Sequence, residues 1–295
     1  MIYDVRQETI YRYASSVAYA RHVVRLGLID RADQRVVAAA LDFAPAPVER
    51  REGRDFFGNR VTWIALDQPH DTLIVKVAAR VAVTRNGSIK PDATPPWEDV
   101  RREAFESDDL SSQSPAHFLF PSRQVLLDPE IRDYASESFA QGRPVLAGAM
   151  DLMKRIKADF VYEPGATDAS TTPPMSFALR RGVCQDFSHV MISGMRSLGL
   201  PSAYVSGYLR TVPRASEAKL AGTDAMHAWV LAWCGAQAGW IGLDPTNGIL
   251  AGDDHVLLAV GRDYADVAPM DGVVFASGRQ RLEVAVSVIP VLVTV

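Results

Sequence analysis

Cys184, His227 and Asp244 are the residues of this 295-residue chain whose types suit nucleophilic catalysis. Gly182 allows a sharp turn just before Cys184. The apolar residues after the cysteine recur at the spacing of one helix face: Phe187, Met191, Met195 and Leu198. The sequence therefore predicts that Cys184 lies in the first turn of a helix, where free backbone N–H groups stabilise a thiolate or an oxyanion.

His227 and Asp244 lie in two neighbouring segments that alternate like strands, and each falls on the same face as a tryptophan of its own segment. A two-residue turn at Gly235 and Ala236 would make His227 and Asp244 direct cross-strand neighbours, with Cβ atoms about 4.5–5.5 Å apart. The carboxylate could then accept a hydrogen bond from the imidazole. A slip of one residue would put the two side chains on opposite faces.

The three residues together form a nucleophile, a base and an orienting group, which is the arrangement needed for acyl transfer. Singly, each has an ordinary structural interpretation. A free cysteine behaves as a small apolar residue, and an aspartate before a proline is usually a turn residue. The hypothesis therefore depends on all three meeting in space.

The elements that must position these residues indicate an α+β fold in two parts. Residues 1–90 are rich in short strand patterns and predict an N-terminal β-rich domain, and the proline-rich stretch 86–96 predicts a linker. Residues 97–295 predict a catalytic domain with its core at about 143–275, in which helices precede Cys184 and strands follow it. Helices are predicted at 97–106, 129–139 and 144–160, and strands at 202–210, 224–233, 239–244, 256–260 and 281–293.

Composition excludes several other classes of protein. The net charge of −4 indicates no nucleic-acid-binding surface, and the sequence shows neither a secretory signal nor a run long enough to span a membrane. We therefore expect a cytoplasmic protein. Cys184 and Cys234 are its two cysteines and are predicted to be free thiols, with Cys234 structural. No metal-ligand spacing or phosphate-binding loop is present in the sequence, so no metal or cofactor is expected.

Four motifs resemble the transglutaminase-like superfamily, in particular bacterial transglutaminase-like cysteine peptidases with an N-terminal β-rich domain. They are Gly182-Val-Cys-Gln-Asp-Phe-Ser-His189, Leu198-Gly-Leu-Pro-Ser-Ala-Tyr-Val-Ser-Gly-Tyr208, Met226-His-Ala-Trp-Val230 and Leu243-Asp-Pro-Thr-Asn-Gly248. The resemblance implies a papain-like cysteine proteinase core, with helices packed on an antiparallel sheet. It also implies that Cys184 is the nucleophile, His227 the general base and acid, and Asp244 the orienting residue.

Further candidates surround this triad. Tyr162 and Gln185 are candidate oxyanion donors beside the Cys184 backbone N–H, although Tyr162 also suits a buried loop anchor. Trp229 and Trp240 are candidate walls of a substrate groove, or core residues. His189 points away from Cys184 at helical spacing and is predicted to be structural.

The leading functional hypothesis is a cysteine hydrolase that cleaves a peptide, isopeptide or side-chain amide through a thioester, with a peptide or protein as its substrate. Transamidation with an amine acceptor would use the same triad, as would acetyl transfer. A binding protein with a vestigial site is the alternative from another class, and a homo-oligomer is left open.

Overall fold

A computed structural model describes residues 1–85, 89–210 and 225–291 of the chain, and it has the predicted α+β architecture. Three antiparallel sheets, of four, four and five strands, account for most of the strands in this part of the chain. Three ends of predicted elements lie outside the described residues: linker residues 86–88, Asp224 at the start of a strand, and 292–293 at the end of another.

The N-terminal part is built from two four-stranded sheets with a shared core. Alternating apolar residues on β1, such as Tyr3 and Val5, face that core and are fully buried. The strands of this part are β1 (Ile2–Val17), β2 (Tyr19–Gly27), β3 (Gln34–Ala44), β4 (Glu49–Arg54), β5 (Arg60–Leu66) and β6 (His70–Val83).

The middle of the chain supplies the helices and the five-stranded sheet. The helices are α1 (Trp97–Phe105), α2 (Pro129–Ser136), α3 (Val145–Asp159), α4 (Pro173–Leu179), α5 (Cys184–Ser197) and α6 (Tyr264–Val267). The strands are β7 (Val161–Tyr162), β8 (Arg181–Gly182), β9 (Ser202–Leu209), β10 (Ala225–Trp233), β11 (Trp240–Asp244), β12 (Ile249–Leu250) and β13 (His255–Gly261). The five-stranded sheet has the order β12-β11-β10-β9-β13, and β7 and β8 form a short parallel pair. None of the helices in the described ranges has the length and apolar character needed to cross a membrane. The cytoplasmic location stays a prediction.

The last two strands, β14 (Met270–Phe275) and β15 (Gln280–Pro290), return to the N-terminal sheets. β14 pairs with β2, and β15 pairs with β1 along almost its whole length. The predicted catalytic domain of 97–295 included both strands, whereas their partners β2 and β1 belong to the predicted N-terminal domain. Local strand patterns could not show it, because they carry no information about which distant strand is the partner.

Helix α5 is the central helix of this middle part of the chain and packs against β9 and β10. Its apolar residues, Phe187 and Met191 among them, share one core with Val230 of β10 and Leu243 of β11. The opposite face of β10 carries Trp229, which belongs to a separate cluster. Alternation along β10 therefore divides its side chains between the α5 side and the side that bears Trp229.

The edge strand β13 is covered by two amide side chains from the N-terminal part. Gln34 donates to the Leu257 carbonyl at 2.7 Å and accepts from the Leu257 N–H at 2.8 Å. Asn59 makes the same pair of bonds with Val260, both at 2.8 Å. Backbone groups that an edge strand would leave unpaired are thereby satisfied, which joins the two parts of the molecule.

Candidate active site

The start of α5 holds Cys184 in the position that the sequence predicts. A carboxylate oxygen of Asp186 accepts hydrogen bonds from the Val183 N–H at 2.8 Å and from the Thr167 hydroxyl at 2.6 Å. A Cβ at Gly182 would lie 2.5 Å from that same oxygen, so only glycine fits there. The first turn of α5 is therefore fixed by a buried aspartate, and Cys184, the first residue of that turn, is a half-buried free thiol.

His227 and Asp244 come together at the end of the sheet, with His227 Nε2 and Asp244 Oδ2 2.8 Å apart. The predicted hairpin register was wrong, because Trp233 pairs with Trp240 and the Cys234 N–H bonds to the Gly239 carbonyl at 2.9 Å. Compared with the predicted two-residue turn, the pairing is shifted by two residues. Side chains alternate with a period of two, so this shift keeps both residues on one face.

The imidazole of His227 also lies close enough to the thiol of Cys184 for the two side chains to interact. Since Nε2 faces Asp244, Nδ1 is the nitrogen available to the sulfur. Burial opposes protonation of His227, but its interactions with Asp244 and Cys184 outweigh burial and raise its pKa to about 9. The cationic imidazole is thus stabilised beside the Cys184 thiol.

Asp244 is fully buried, and its carboxylate accepts five hydrogen bonds from described residues. Its Oδ1 accepts from the backbone N–H groups of Thr246 at 3.0 Å and Asn247 at 3.1 Å. Its Oδ2 accepts from the Asn247 amide at 2.7 Å, from His227, and from His255 Nε2 at 3.1 Å. Burial raises the pKa of this carboxyl, but bonds from the two histidines and Asn247 hold it well below its usual range.

His255 is the residue of this site that the sequence reasoning missed. It lies at the start of β13, and no spacing rule connects that strand to β11. His255 is a polar residue directly before the continuous apolar segment 256–260. A polar side chain at such a strand end is the signal that could have identified it. Sequence position alone would not have shown that it faces Asp244.

The two candidate oxyanion donors differ in their surroundings. Tyr162 lies close enough to Cys184 for the two side chains to interact electrostatically. It pairs with Gly182 in the short parallel sheet and is half exposed. The side-chain amide of Gln185 instead faces the Ala169 carbonyl at 3.5 Å. Tyr162 is therefore within electrostatic reach of the Cys184 thiol, whereas the Gln185 side chain has another partner.

The two tryptophans predicted to wall a groove both line a cavity of about 880 Å³ between the N-terminal part and β10–β11. Trp229 is only 1% exposed, and its ring contacts the rings of His227 and His255. Trp240 is partly buried and donates its indole N–H to the Gln113 carbonyl at 3.1 Å. Their contact with a substrate stays a prediction.

His189 and Cys234, the two residues predicted to be structural, are both buried. His189 is buried, and its Nε2 accepts a hydrogen bond from the Tyr264 N–H at 3.2 Å. Cys234 is fully buried, and burial raises the pKa of its thiol to about 12. Both cysteines are free, as predicted.

His227, Asp244 and His255 also place nitrogen and oxygen atoms within 4.8 Å of one another, and these are ligand types that transition metals accept. Each imidazole points its Nε2 at the same carboxylate oxygen. A cation at this point would require both histidines to give up those hydrogen bonds.

Sequence comparisons cover most of the chain. Residues 3–82 match the bacterial transglutaminase-like N-terminal region, and residues 132–245 match the transglutaminase-like superfamily. An uncharacterised protein of Mycobacterium tuberculosis is 34% identical over 295 residues, covering 98% of this chain and 92% of that protein. The chain belongs to the transglutaminase-like superfamily. An uncharacterised Mycobacterium leprae relative is 30% identical over 286 residues, covering 96% of this chain and 97% of its own.

A solved structure supports the superfamily fold over the whole chain. It is described as that of a putative cysteine protease from Cytophaga hutchinsonii, with a TM-score of 0.74 and 21% identity. The match covers 100% of this chain and 92% of that one. At this identity the likeness concerns the fold, and it agrees with the predicted transglutaminase-like architecture.

Proposed function

We propose that this transglutaminase-like protein is a cysteine-dependent hydrolase that cleaves an amide bond through a thioester. The observation that carries the proposal is the placement of Cys184, His227 and Asp244 beside one another. Cys184 lies close enough to His227 for the two side chains to interact, and His227 Nε2 lies 2.8 Å from Asp244 Oδ2. A thiol, an imidazole and a carboxylate in that order form the nucleophile, base and orienting group of acyl transfer.

The first half-reaction forms the thioester. The Cys184 thiolate attacks the amide carbonyl carbon, and the carbonyl oxygen becomes an oxyanion. The His227 imidazolium then gives its proton to the amide nitrogen as the C–N bond breaks and the amine leaves. Asp244 holds the imidazole in place and stabilises its positive charge before that transfer.

Water completes the reaction. Neutral His227 takes a proton from water as the water oxygen attacks the thioester carbonyl. The C–S bond breaks, the carboxylic acid leaves, and the thiolate–imidazolium pair is restored. For both oxyanions, the Cys184 backbone N–H at the start of α5 and the Tyr162 hydroxyl are our proposed donors, because Tyr162 is the candidate side chain that lies near the thiol.

Alkylation of Cys184 by iodoacetamide, followed by intact-mass analysis, tests the activated thiol. We expect Cys184 at pH 6 to react faster than glutathione, and His227→Ala to remove the difference. Equal rates for the wild type and His227→Ala would contradict the proposal. Cys234→Ala provides the background, so that the mass shift reports one thiol.

A glutamine-containing peptide, incubated with and without a primary amine, separates hydrolysis from transamidation. Hydrolysis gives the free acid in both mixtures, whereas transamidation gives an amine adduct in the second. Appearance of the adduct as the main product would replace the hydrolase proposal with a transamidase. Cys184→Ser serves as the inactive control for both mixtures.

A further inference from the structure

His255 shares one carboxylate oxygen with the proposed base. Its Nε2 lies 3.1 Å from Asp244 Oδ2, the same atom that faces His227 Nε2. We propose that His255 is a positioning residue that holds the Asp244 carboxylate in the orientation that stabilises the His227 imidazolium. This inference rests on the proposed function, since it assigns His255 a role in that triad.

The hydrogen bonds of His255 determine which nitrogen carries the hydrogen. The Gly252 N–H donates to His255 Nδ1 at 3.2 Å, so Nδ1 acts as an acceptor. A neutral imidazole with an acceptor at Nδ1 carries its hydrogen on Nε2. That hydrogen points at Asp244, so His255 donates to the carboxylate.

The surroundings of His255 leave its ring little freedom to turn. The side chain is almost fully buried, and the ring of Trp229 contacts it edge-on at 5.2 Å between centroids. The backbone is held as well, since the His255 N–H donates to the Gly252 carbonyl at 3.0 Å and its carbonyl accepts from Arg85. A fixed donor of this kind limits rotation of the carboxylate, as outer hydrogen bonds do for ligands at metal sites.

Charged side chains near His255 have ion-pair partners of their own. Asp254 accepts from Tyr3 at 2.6 Å and from Arg210 at 3.0 Å, and Arg85 pairs with Asp33 at 2.7 Å. Among the described residues, the hydrogen-bond donors to Asp244 are two imidazoles, one amide and two backbone N–H groups, with no lysine or arginine. A neutral donor at His255 thus orients the carboxylate without cancelling its charge, and that charge remains for His227.

Removal of the donor gives a specific change in thiol reactivity. In His255→Leu, Asp244 is held less firmly and stabilises the His227 imidazolium less. The thiolate–imidazolium pair is then less populated near pH 6, whereas at pH 10 the thiolate forms without help from the imidazolium. We expect the ratio of Cys184 alkylation rates at pH 6 and pH 10 to fall about tenfold, the effect of one pKa unit. His255→Gln should keep most of the ratio, because its amide N–H reaches about as far as Nε2.

The experiment measures iodoacetamide alkylation in the full chain with Cys234→Ala as background, so no substrate is needed. The variants are His255→Leu, His255→Gln, His227→Ala and His70→Leu. His70 is a matched control, because it is also buried but lies on β6 and bonds to the Gln68 carbonyl. A purely structural role for His255 would lower the folded fraction and leave the pH ratio unchanged.

Three outcomes separate the positioning role proposed for His255 from the triad proposed for the hydrolase. A ratio that falls in His255→Leu but not in His255→Gln or His70→Leu supports positioning. A ratio unchanged in His255→Leu but lost in His227→Ala overturns positioning and leaves the triad intact. A ratio unchanged in His227→Ala overturns both.

If His255→Leu does not fold, nitrogen NMR of labelled histidines in the wild-type protein gives the same decision. The Nε2–H tautomer of His255 at pH 8 supports the proposal, and the Nδ1–H tautomer overturns it.

Discussion

Buried polar groups contact the five-stranded sheet in two regions, and the two regions differ in chemistry. At one end of the sheet, His227, Asp244 and His255 form a cluster of ionisable groups around one carboxylate. Along the edge strand β13, Gln34 and Asn59 pair with backbone groups through neutral amides. Both regions satisfy their buried hydrogen bonds, but only the first can change its charge.

The difference separates a region suited to the proposed catalysis from a region that joins two parts of the molecule. Because neutral amides do not titrate, the contact between the N-terminal part and β13 has the same hydrogen bonds at any working pH. The ionisable cluster holds a low carboxyl pKa beside a raised imidazole pKa, which is typical of functional sites. Substitutions in the first region should therefore change reactivity and pH dependence, and substitutions in the second should change stability alone.

The largest expected effect is at the proposed nucleophile. Cys184→Ala should lower the rate of amide cleavage by at least about a thousandfold, because no other group can form the thioester. Cys234→Ala should leave the rate close to that of the wild type, because this buried thiol lies away from the cluster. Steady-state kinetics of both variants on one peptide measures the contrast. Equal loss in the two variants would contradict the assignment of Cys184.

Asp244→Asn should lower kcat/KM by about a hundredfold or more, because an amide gives the imidazolium no charge stabilisation. The pH profile should change as well. With the pKa of His227 at about 9 in the wild type, activity should fall as the pH rises through that value. In Asp244→Asn the fall should begin at lower pH. A profile that keeps its upper limb would show that Asp244 does not stabilise the cation.

The cluster should also make stability depend on pH. The pKa of His227 is raised from 6.5 to about 9 in the folded protein. Its contribution is therefore fully present below pH 6.5 and is lost as the pH rises through 9. The shift corresponds to at most about 3 kcal/mol. Urea unfolding of the wild type and His227→Gln between pH 6 and pH 10 measures it, and parallel curves would contradict the raised pKa.

Local pattern was sufficient to predict much of the middle of the chain. The predicted helices at 97–106, 129–139 and 144–160 correspond to α1, α2 and α3, and the strand around His227 corresponds to β10. These elements have a clear period or a proline near the start, and such signals are read within a few residues. The hairpin turn was harder to predict. Both Gly235 and Gly239 adopt positive φ, and the turn uses both glycines rather than the shorter loop.

Contacts between distant segments could not be predicted. His255 reaches Asp244 although β13 lies at the far edge of the sheet from β12, and no local signal specifies that contact. The same holds for the return of β14 and β15 to the N-terminal sheets, and for the contact of Gln34 with Leu257. Periodicity shows which face of a strand is buried, but the partner strand follows from packing of the whole chain.

The smallest expected effect lies at the covered edge of β13. Gln34→Ala and Asn59→Ala should each lower the free energy of unfolding by about 1–3 kcal/mol, because each leaves a buried N–H and a carbonyl unpaired. Gln68→Ala, an exposed matched control, should change it by less than about 0.5 kcal/mol. Urea unfolding gives these values, and Cys184 alkylation at pH 6 should be unchanged in all three variants. A slower alkylation in Asn59→Ala would show that the β13 contact also orients His255, which lies on the same strand, and the separation between the two regions would then fail.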